Sequence, residues 1–303
     1  MGLYLLQQVV NSLIYGSVIG FLAIGYTMIY GILGLINFAH GEIFMIGAFT
    51  CYILVTFYQF SFLIGVIGAV LASVVTGLLL YYLVYRPCIR NKAPIVAVFI
   101  ASFGASLGLR YLFMMIFGDQ GRAFPAPQAL RGMQMVGQIV FSNRDLVMFI
   151  VTIVVMLIIT YLIKYTKVGI AMRAVSYNIK IAEVMGVNTN RIIVTTFIIG
   201  SALAGVSAIQ YGLNFGIVQP SMGFTPGLEG FIGAVIGGIG NVPGAMIGGF
   251  IVGIGEILFV AFLPSHLSAL RPIFVWGLLF LILFLKPTGL FRPNVKYEGT
   301  WGE

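Results

Sequence analysis

The chain has 303 residues, of which 60% are apolar and only 8% charged, and its formal net charge is +8; the mean hydropathy is +1.08. Soluble globular domains carry about 25% charged residues, so a soluble enzyme or binding module is excluded and the sequence reads as an all-α, polytopic transmembrane helical bundle. No basic region precedes the first apolar run and no small-residue cleavage site follows a short apolar core, so the first span is expected to insert and stay.

A helix needs about 20 apolar residues to cross about 30 Å of hydrocarbon. Runs of that kind fall at 9–31, 41–58, 62–85, 95–117, 146–163, 192–213, 243–263 and 272–286, and the run at 227–241 is too short to cross comfortably by itself. The expectation is one transmembrane domain over 1–303, with about eight spans plus a partial or broken helix.

Between the first two runs lies GLINFAHGEIFMIGAF, residues 34–49, in which Asn37, His40 and Glu42 interrupt lipid-like sequence. Asn37 is expected to cap a helix beginning at Phe38. Irregular backbone at membrane depth survives only inside protein or against a wet cavity, so this break is expected to border a passage. His40-Gly-Glu42 is not a metal site: residues two apart diverge on a helix, and the other histidine, His266, lies in a distant loop. Cys51 and Cys88 have no disulfide or metal spacing.

Spans 95–117 and 146–163 form a hairpin around the outer loop 118–145. Eleven of the sixteen Lys and Arg fall in three other segments: Arg86, Arg90 and Lys92; Lys164, Lys167, Arg173, Lys180 and Arg191; Lys286, Arg292 and Lys296. The positive-inside rule places all three in the cytoplasm, which accounts for the basic excess without nucleic acid. Parity then puts the N-terminus outside and the tail, about 287–303, in the cytoplasm.

A weak internal repeat agrees with that parity. Gly20, Gly25 and Tyr30-Gly31 resemble Gly200, Gly205 and Tyr211-Gly212, and the five spans between them make the copies inverted, a recurring transporter plan with broken helices near the midplane. In the second copy, FTPGLEGFIGAVIGGIGNVPGAMIGG, Thr225 is expected to be the N-cap and Pro226 the first helical residue. Each break would present a helix N-terminus, the positive end of its dipole, inside the protein. Asn37, His40, Glu42, Thr225 and Glu229 are therefore the candidate translocation path.

Glu42 and Glu229 are expected in the first turns of their helices, where negative charge is favoured, and both a structural role and solute contact stand. Glu256 and Arg110 lie inside apolar spans near the outer ends of their helices, where they serve function, pair or snorkel. Gly233, Gly237, Gly240, Gly244, Gly248, Gly249 and Gly253 run mainly at small-xxx-small spacing, which suits close helix packing. GGIGNVPG is not a dinucleotide fingerprint, since Pro243 replaces its third glycine.

No Walker loop, H-E-x-x-H or G-x-S-x-G occurs, so the chain is not expected to be an enzyme or to hold a cofactor, and any ATP would be bound by a partner. The segment that could receive such energy is YTKVGIAMRAVSYNIKIAEVMGVNTNR, 165–191, read as a short amphipathic helix ending at Gly186 with Asn188 and Asn190 in the loop beyond. Physics permits it equally to lie on the lipid surface or to dock into a cytoplasmic protein.

GLINFAHGEIFMIGAF, YRPCIRNK, MRAVSYNIKIAEVMGVNTNRI and AVIGGIGNVPGAMIGG, in that order over roughly 8–290, resemble the permease subunit of bacterial branched-chain amino-acid ABC importers. The resemblance implies that Arg173, Ala174, Ala182, Gly186 and Asn188 couple the chain to an ATPase. It further implies a bacterial inner-membrane complex with a second homologous permease subunit, two cytoplasmic ATPase subunits and an external solute-binding protein. The same family includes permeases for urea and short amides. A rival of a different class is an autonomous proton-coupled carrier or channel using Glu42, Glu229 and Glu256.

Overall fold

The computed structural model describes residues 2–130, 132–136, 139–264, 267 and 270–291. His266, Arg292, Lys296 and most of the expected tail lie outside the described residues. Helix α1 (Gly2–Leu33) leads through an irregular segment, 34–39, into α2 (His40–Tyr52), which a π-helical turn at Ile53–Phe57 prolongs. Helix α3 (Phe62–Leu80) likewise continues through a π-helical turn, Tyr81–Tyr85, into the short α4 (Arg86–Arg90). Helices α5 (Ile95–Phe117) and α6 (Asn143–Tyr165) flank a loop carrying strand β1 (Arg122–Ala123) and the hairpin β2 (Met133–Val136) and β3 (Ile139–Ser142). Then come α7 (Lys167–Tyr177), α8 (Ile179–Val184), α9 (Thr189–Phe215), strand β4 (Ile217–Val218), α10 (Phe224–Gly237), α11 (Val242–Phe262) and α12 (Arg271–Leu285).

Among the described residues, seven helices are long and apolar enough to cross a membrane, and α10 and α12 are shorter. The run at 272–286, expected as a full span, is a helix of 15 residues and reaches only about 22 Å. Helix α10, with 14 residues, reaches about 21 Å, in keeping with the expected partial helix.

The two ends of the bundle differ. At one end, β1 pairs antiparallel with β4 and ties the α5–α6 loop to the connection between α9 and α10. At the other lie the described parts of the three basic segments. There the Tyr81 hydroxyl donates to Asn190 Oδ1 at 2.8 Å, the Leu290 N–H donates to the Ile236 carbonyl at 2.8 Å, and Lys164 and Arg173 line a shared cavity with Gly240 and Val242.

Helix α1 is the axis of the molecule: 94% of its most apolar window is buried, against 17% for α5 and for α6. It lies closest to α11, where Gly16 and Gly20 oppose Gly253 and Gly249 so tightly that a Cβ on either α11 glycine would strike α1 backbone. The packing is exchange-symmetric. The α1–α11 contact is matched by α9–α3, α1–α10 by α9–α2, and α2–α3 by α10–α11. Gly25 and Gly200, members of the sequence repeat, face each other where α1 crosses α9. The glycine series also divides as spacing suggests, with Gly233 against Gly249 and Gly237 against Gly244 and Gly248; Gly240 instead turns the chain between α10 and α11.

Candidate functional site where two broken helices meet

The segment 34–39 and the connection before α10 bring the starts of α2 and α10 together inside the bundle. A Cβ on Gly41 would collide with the Gly223 carbonyl, and one on Gly223 with the Gly41 carbonyl. Only glycines allow this approach of two backbones, and the result is two helix N-termini facing one small region.

The caps differ from expectation. Helix α2 begins at His40 after Ala39, with no side-chain cap. Asn37 does not cap it; its Oδ1 accepts from the Tyr85 hydroxyl at 2.9 Å, and its carbonyl accepts from the His40 N–H at 3.1 Å. The side chain is spent on holding the break against the π-helical turn that follows α3. Helix α10 begins at Phe224 after Gly223, again uncapped, so Thr225 lies inside the helix with its side chain exposed and Pro226 is the third helical residue rather than the first. Glu42 does stand in the first turn of α2, whereas Glu229 lies in the second turn of α10.

Glu42 is the centre of the site. Its side chain is 1% exposed, and Oε1 lies 2.8 Å from Arg110 Nη2 and accepts from the Ser106 hydroxyl at 3.1 Å. The other oxygen, Oε2, is buried without a hydrogen-bond partner, as is Arg110 Nε. The Arg110 guanidinium also lies over the Phe224 ring, 4.5 Å from its centroid, a favourable cation–π geometry. Glu42, Tyr26, Phe38, Phe103, Ser106 and Phe224 line a small pocket of about 10 Å³ together with Gly223, Gly227 and Leu228, room for about one water. Phe103 and Phe224 are exposed on its outer side, so the pocket opens towards the flank of the bundle. His40 is wholly buried and packs edge-on against Tyr26, with 4.7 Å between ring centroids; neither of its ring nitrogens has a hydrogen-bond partner.

Two features of this site escaped the sequence reading, which placed Arg110 and Glu42 separately and passed over Ser106. Yet Ser102, Ser106 and Arg110 are spaced four apart along an otherwise apolar helix, a polar stripe that aims at one neighbour. Ser102 approaches the Ile36 carbonyl at 3.4 Å, and Ser106 and Arg110 reach Glu42. The aromatic lining had no such signal, because Phe38, Phe103 and Phe224 meet only in three dimensions.

The second repeat holds its acids differently. Glu229 accepts from the Tyr15 hydroxyl, and Glu256, wholly buried, pairs with Arg271. The Arg271 guanidinium in turn lies 5.0 Å from the centroid of the Tyr15 ring, so four ionisable side chains from α1, α10, α11 and α12 form one cluster.

At the basic end, the segment 165–191 is two helices and a turn rather than one helix. Asn178 interrupts it and caps α8, accepting from the Ile181 N–H at 3.0 Å. Gly186, at φ +83°, closes the turn after α8, a conformation that favours glycine. Asn188 caps α9 through the Arg191 N–H, and Asn190 lies within α9. Arg173, Ala174, Gly186 and Asn188 are exposed, but Ala182 is buried at 3% and packs inward. The outward apolar face is Tyr177, Ile181, Val184 and Met185. A cavity of about 210 Å³ opens beside α7, lined among others by Thr27, Met28, Ile32, Lys164, Met172 and Arg173.

Comparison with known proteins agrees with this architecture. Residues 8–285 match the family model described as branched-chain amino acid transport system, permease component. The high-affinity branched-chain amino acid transport system permease protein LivH of Salmonella typhimurium is 37% identical over 97% of this chain and 98% of its own length. BraD of Pseudomonas aeruginosa, with the corresponding description, is 36% identical over 96% and 97%. The permease protein LivM of Salmonella typhimurium is more distant, at 24% identity over 91% of this chain and 69% of its own. No solved structure matches the chain. With a family model covering nearly the whole chain and seven helices able to span a bilayer, this is a multi-pass membrane protein that belongs to the family of branched-chain amino acid transport permease components.

Proposed function

We propose that this chain forms part of the path through which an ATP-driven importer passes branched-chain amino acids across the bacterial inner membrane. The observation that carries the reading is the meeting of two broken helices, N-terminus to N-terminus, beside an aromatic pocket containing Glu42. Inward-facing helix N-termini favour anionic groups such as a solute carboxylate, and the rings of Phe38, Phe103 and Phe224 suit an aliphatic side chain better than urea. Of the sequence candidates, Glu42 stands at this pocket, His40 is buried behind it against Tyr26, Asn37 holds the break, and Glu229 belongs to the outer cluster with Tyr15. Thr225 is exposed at the start of α10.

The basic end is the cytoplasmic end by the positive-inside rule, which puts the N-terminus outside and the C-terminus in the cytoplasm. The exposed face of α7, α8 and the turn at Gly186 is then the coupling element, with Arg173, Ala174, Gly186 and Asn188 at its surface and Ala182 supporting it from within. Two cytoplasmic ATPase subunits would engage it, and an external solute-binding protein would deliver the solute. The pocket opens on the flank through Phe103 and Phe224, so a second homologous permease subunit, of the kind represented by the LivM relatives, would close the passage. The chain itself has no catalytic role in this reading.

The buried acids favour an ATP-driven complex over a proton-coupled carrier, because Glu42 and Glu256 are each held by an arginine. The test is reconstitution of the complex with ATP inside the vesicles and no pH gradient. Leucine accumulation under those conditions is the expected outcome, together with recovery of a nucleotide-binding subunit in mild detergent. Accumulation that follows an imposed pH gradient and ignores ATP would overturn the reading.

A further inference from the structure

The cavity of about 210 Å³ beside α7 shares no lining residue with the pocket at Glu42. Its walls come from α1, α6, α7 and the start of α11. Met28, Ile32 and Met172 are buried there, whereas Lys164, Arg173 and Tyr177 are exposed, so the cavity has an apolar floor and a cationic mouth. No acidic side chain lines it. Among the described residues neither cation meets a carboxylate: Arg173 donates to the Ile163 carbonyl, and the ion pairs are made by Arg110, Arg144 and Arg271. Thr27, also in the wall, keeps its hydroxyl buried without a hydrogen-bond partner, a state that a ligand with an acceptor relieves.

Aromatic residues mark the level of the mouth in the bilayer. Lys164 stands in the last turn of α6, between Tyr161 and Tyr165, which are exposed with their ring centroids 5.7 Å apart. Such tyrosines gather where hydrocarbon gives way to headgroups. One turn back along α6, Leu157 and Ile158 are exposed, as lipid-facing residues are. The two cations therefore lie beside the boundary between acyl chains and headgroups.

We propose that this cavity seats one anionic phospholipid of the inner leaflet, with Lys164 and Arg173 on its phosphate and part of an acyl chain against Met28, Ile32 and Met172. The ester oxygens between head and chain supply an acceptor for Thr27. Basic pockets between helices near the cytoplasmic face take such headgroups. Phosphatidylethanolamine brings an ammonium of its own to two cations and is disfavoured, and a free phosphate has nothing to lay on the apolar floor. The leaflet rests on the cytoplasmic placement of the basic end. A lipid held there joins α6 and α7 to α1 and α11 at the point where the coupling element begins.

The test uses the full chain, with the subunits that co-purify with it, in detergent. Native mass spectrometry counts the lipids retained from an equimolar mixture of phosphatidylglycerol and phosphatidylethanolamine with the same acyl chains. The wild type is expected to retain one lipid and to favour phosphatidylglycerol by about twentyfold, the effect of two cations near an anionic headgroup. Lys164→Gln should lower that preference by about fivefold. Lys167→Gln, which removes an exposed cation outside the cavity, should leave it within about twofold. Thr160→Phe, which places a ring in the cavity from α6, should lower retention of both lipids.

Equal retention of the two lipids by the wild type overturns the proposal. Equal loss from Lys164→Gln and Lys167→Gln does so too, by showing attraction to a basic surface instead of a site. Millimolar inorganic phosphate and glycerol 1-phosphate are added as competitors, and displacement of the lipid by either would make this a site for soluble anions. Lys164→Gln changes an exposed side chain, so its result stands even where Thr160→Phe fails to fold. Neither solute nor ATP enters the measurement, so its failure leaves the transport reading standing, and failure of that reading leaves the lipid site.

Discussion

The two repeats use the same parts for different ends. Each supplies a long helix, a break, a half-helix bearing a glutamate and a partner arginine from a flanking helix. In the first repeat the break is fixed by Asn37 and Tyr85, and Glu42 sits in the first turn of α2 beside a pocket, with one oxygen unused. In the second, Glu229 lies a turn further along its helix and is taken up by Tyr15, while Glu256 and Arg271 close the cluster. The difference teaches that an inverted repeat duplicates geometry without duplicating chemistry. One copy leaves a buried carboxylate oxygen without a hydrogen-bond partner beside a small cavity, and the other commits its acids to holding α1, α10, α11 and α12 together.

The largest expected effect falls where the copies touch. Gly41→Leu drives a side chain into the backbone of α10, and a single added methylene in a filled core already costs about 1–3 kcal/mol. Folded protein recovered from membranes should fall by about tenfold or more, and Gly223→Leu should do the same from the other side. Normal recovery and uptake for both would show that the half-helices do not abut.

Next come the two arginines, which separate the copies by function. Arg110 is 14% exposed and Arg271 32%; removing one partner of a well-buried pair costs about 3–5 kcal/mol, and the more exposed Arg271 should cost less. Arg110→Gln is expected to abolish uptake per folded molecule. Arg271→Gln is expected to lower the melting temperature in nanodiscs while uptake per folded molecule survives. Equal loss of uptake in both would mean that the second cluster also touches the solute.

The smallest effects compare the residues expected as caps. Asn37→Leu leaves the buried Tyr85 hydroxyl without its best acceptor, at about 1–3 kcal/mol. Thr225→Leu changes an exposed side chain that bonds to nothing across the break and should stay within about 0.5 kcal/mol. Chemical denaturation of the purified variants measures both. A larger loss for Thr225→Leu would reverse the ranking and point to a partner chain seated on the start of α10.

Much of this molecule is written locally. Apolar runs of span length, three basic segments and glycines at helical spacing depend on composition and period, and seven of the eight expected spans, the basic end and the α10–α11 packing appear where those patterns put them. The breaks at 34–39 and before α10 were legible too, since polar residues and glycine inside lipid-like sequence mark backbone that a regular lipid-facing span would not carry. What the sequence by itself could not determine was partnership and depth. Glu42 meets an arginine 68 positions away, and nothing local distinguishes that pairing from a snorkelling side chain. The caps failed for a similar reason: Asn37 had a tertiary acceptor role in Tyr85 that outweighed the local one. Hydropathy misleads about depth, because lipid is as apolar as a protein core. Helix α6 is more hydropathic than α1 yet only 17% buried, whereas α1, studded with small and polar residues, forms the axis at 94%. Close packing favours small side chains that let backbones approach, while the lipid face takes any large apolar residue, so which helix is central and which acid is left with a free oxygen are decided only when the helices assemble.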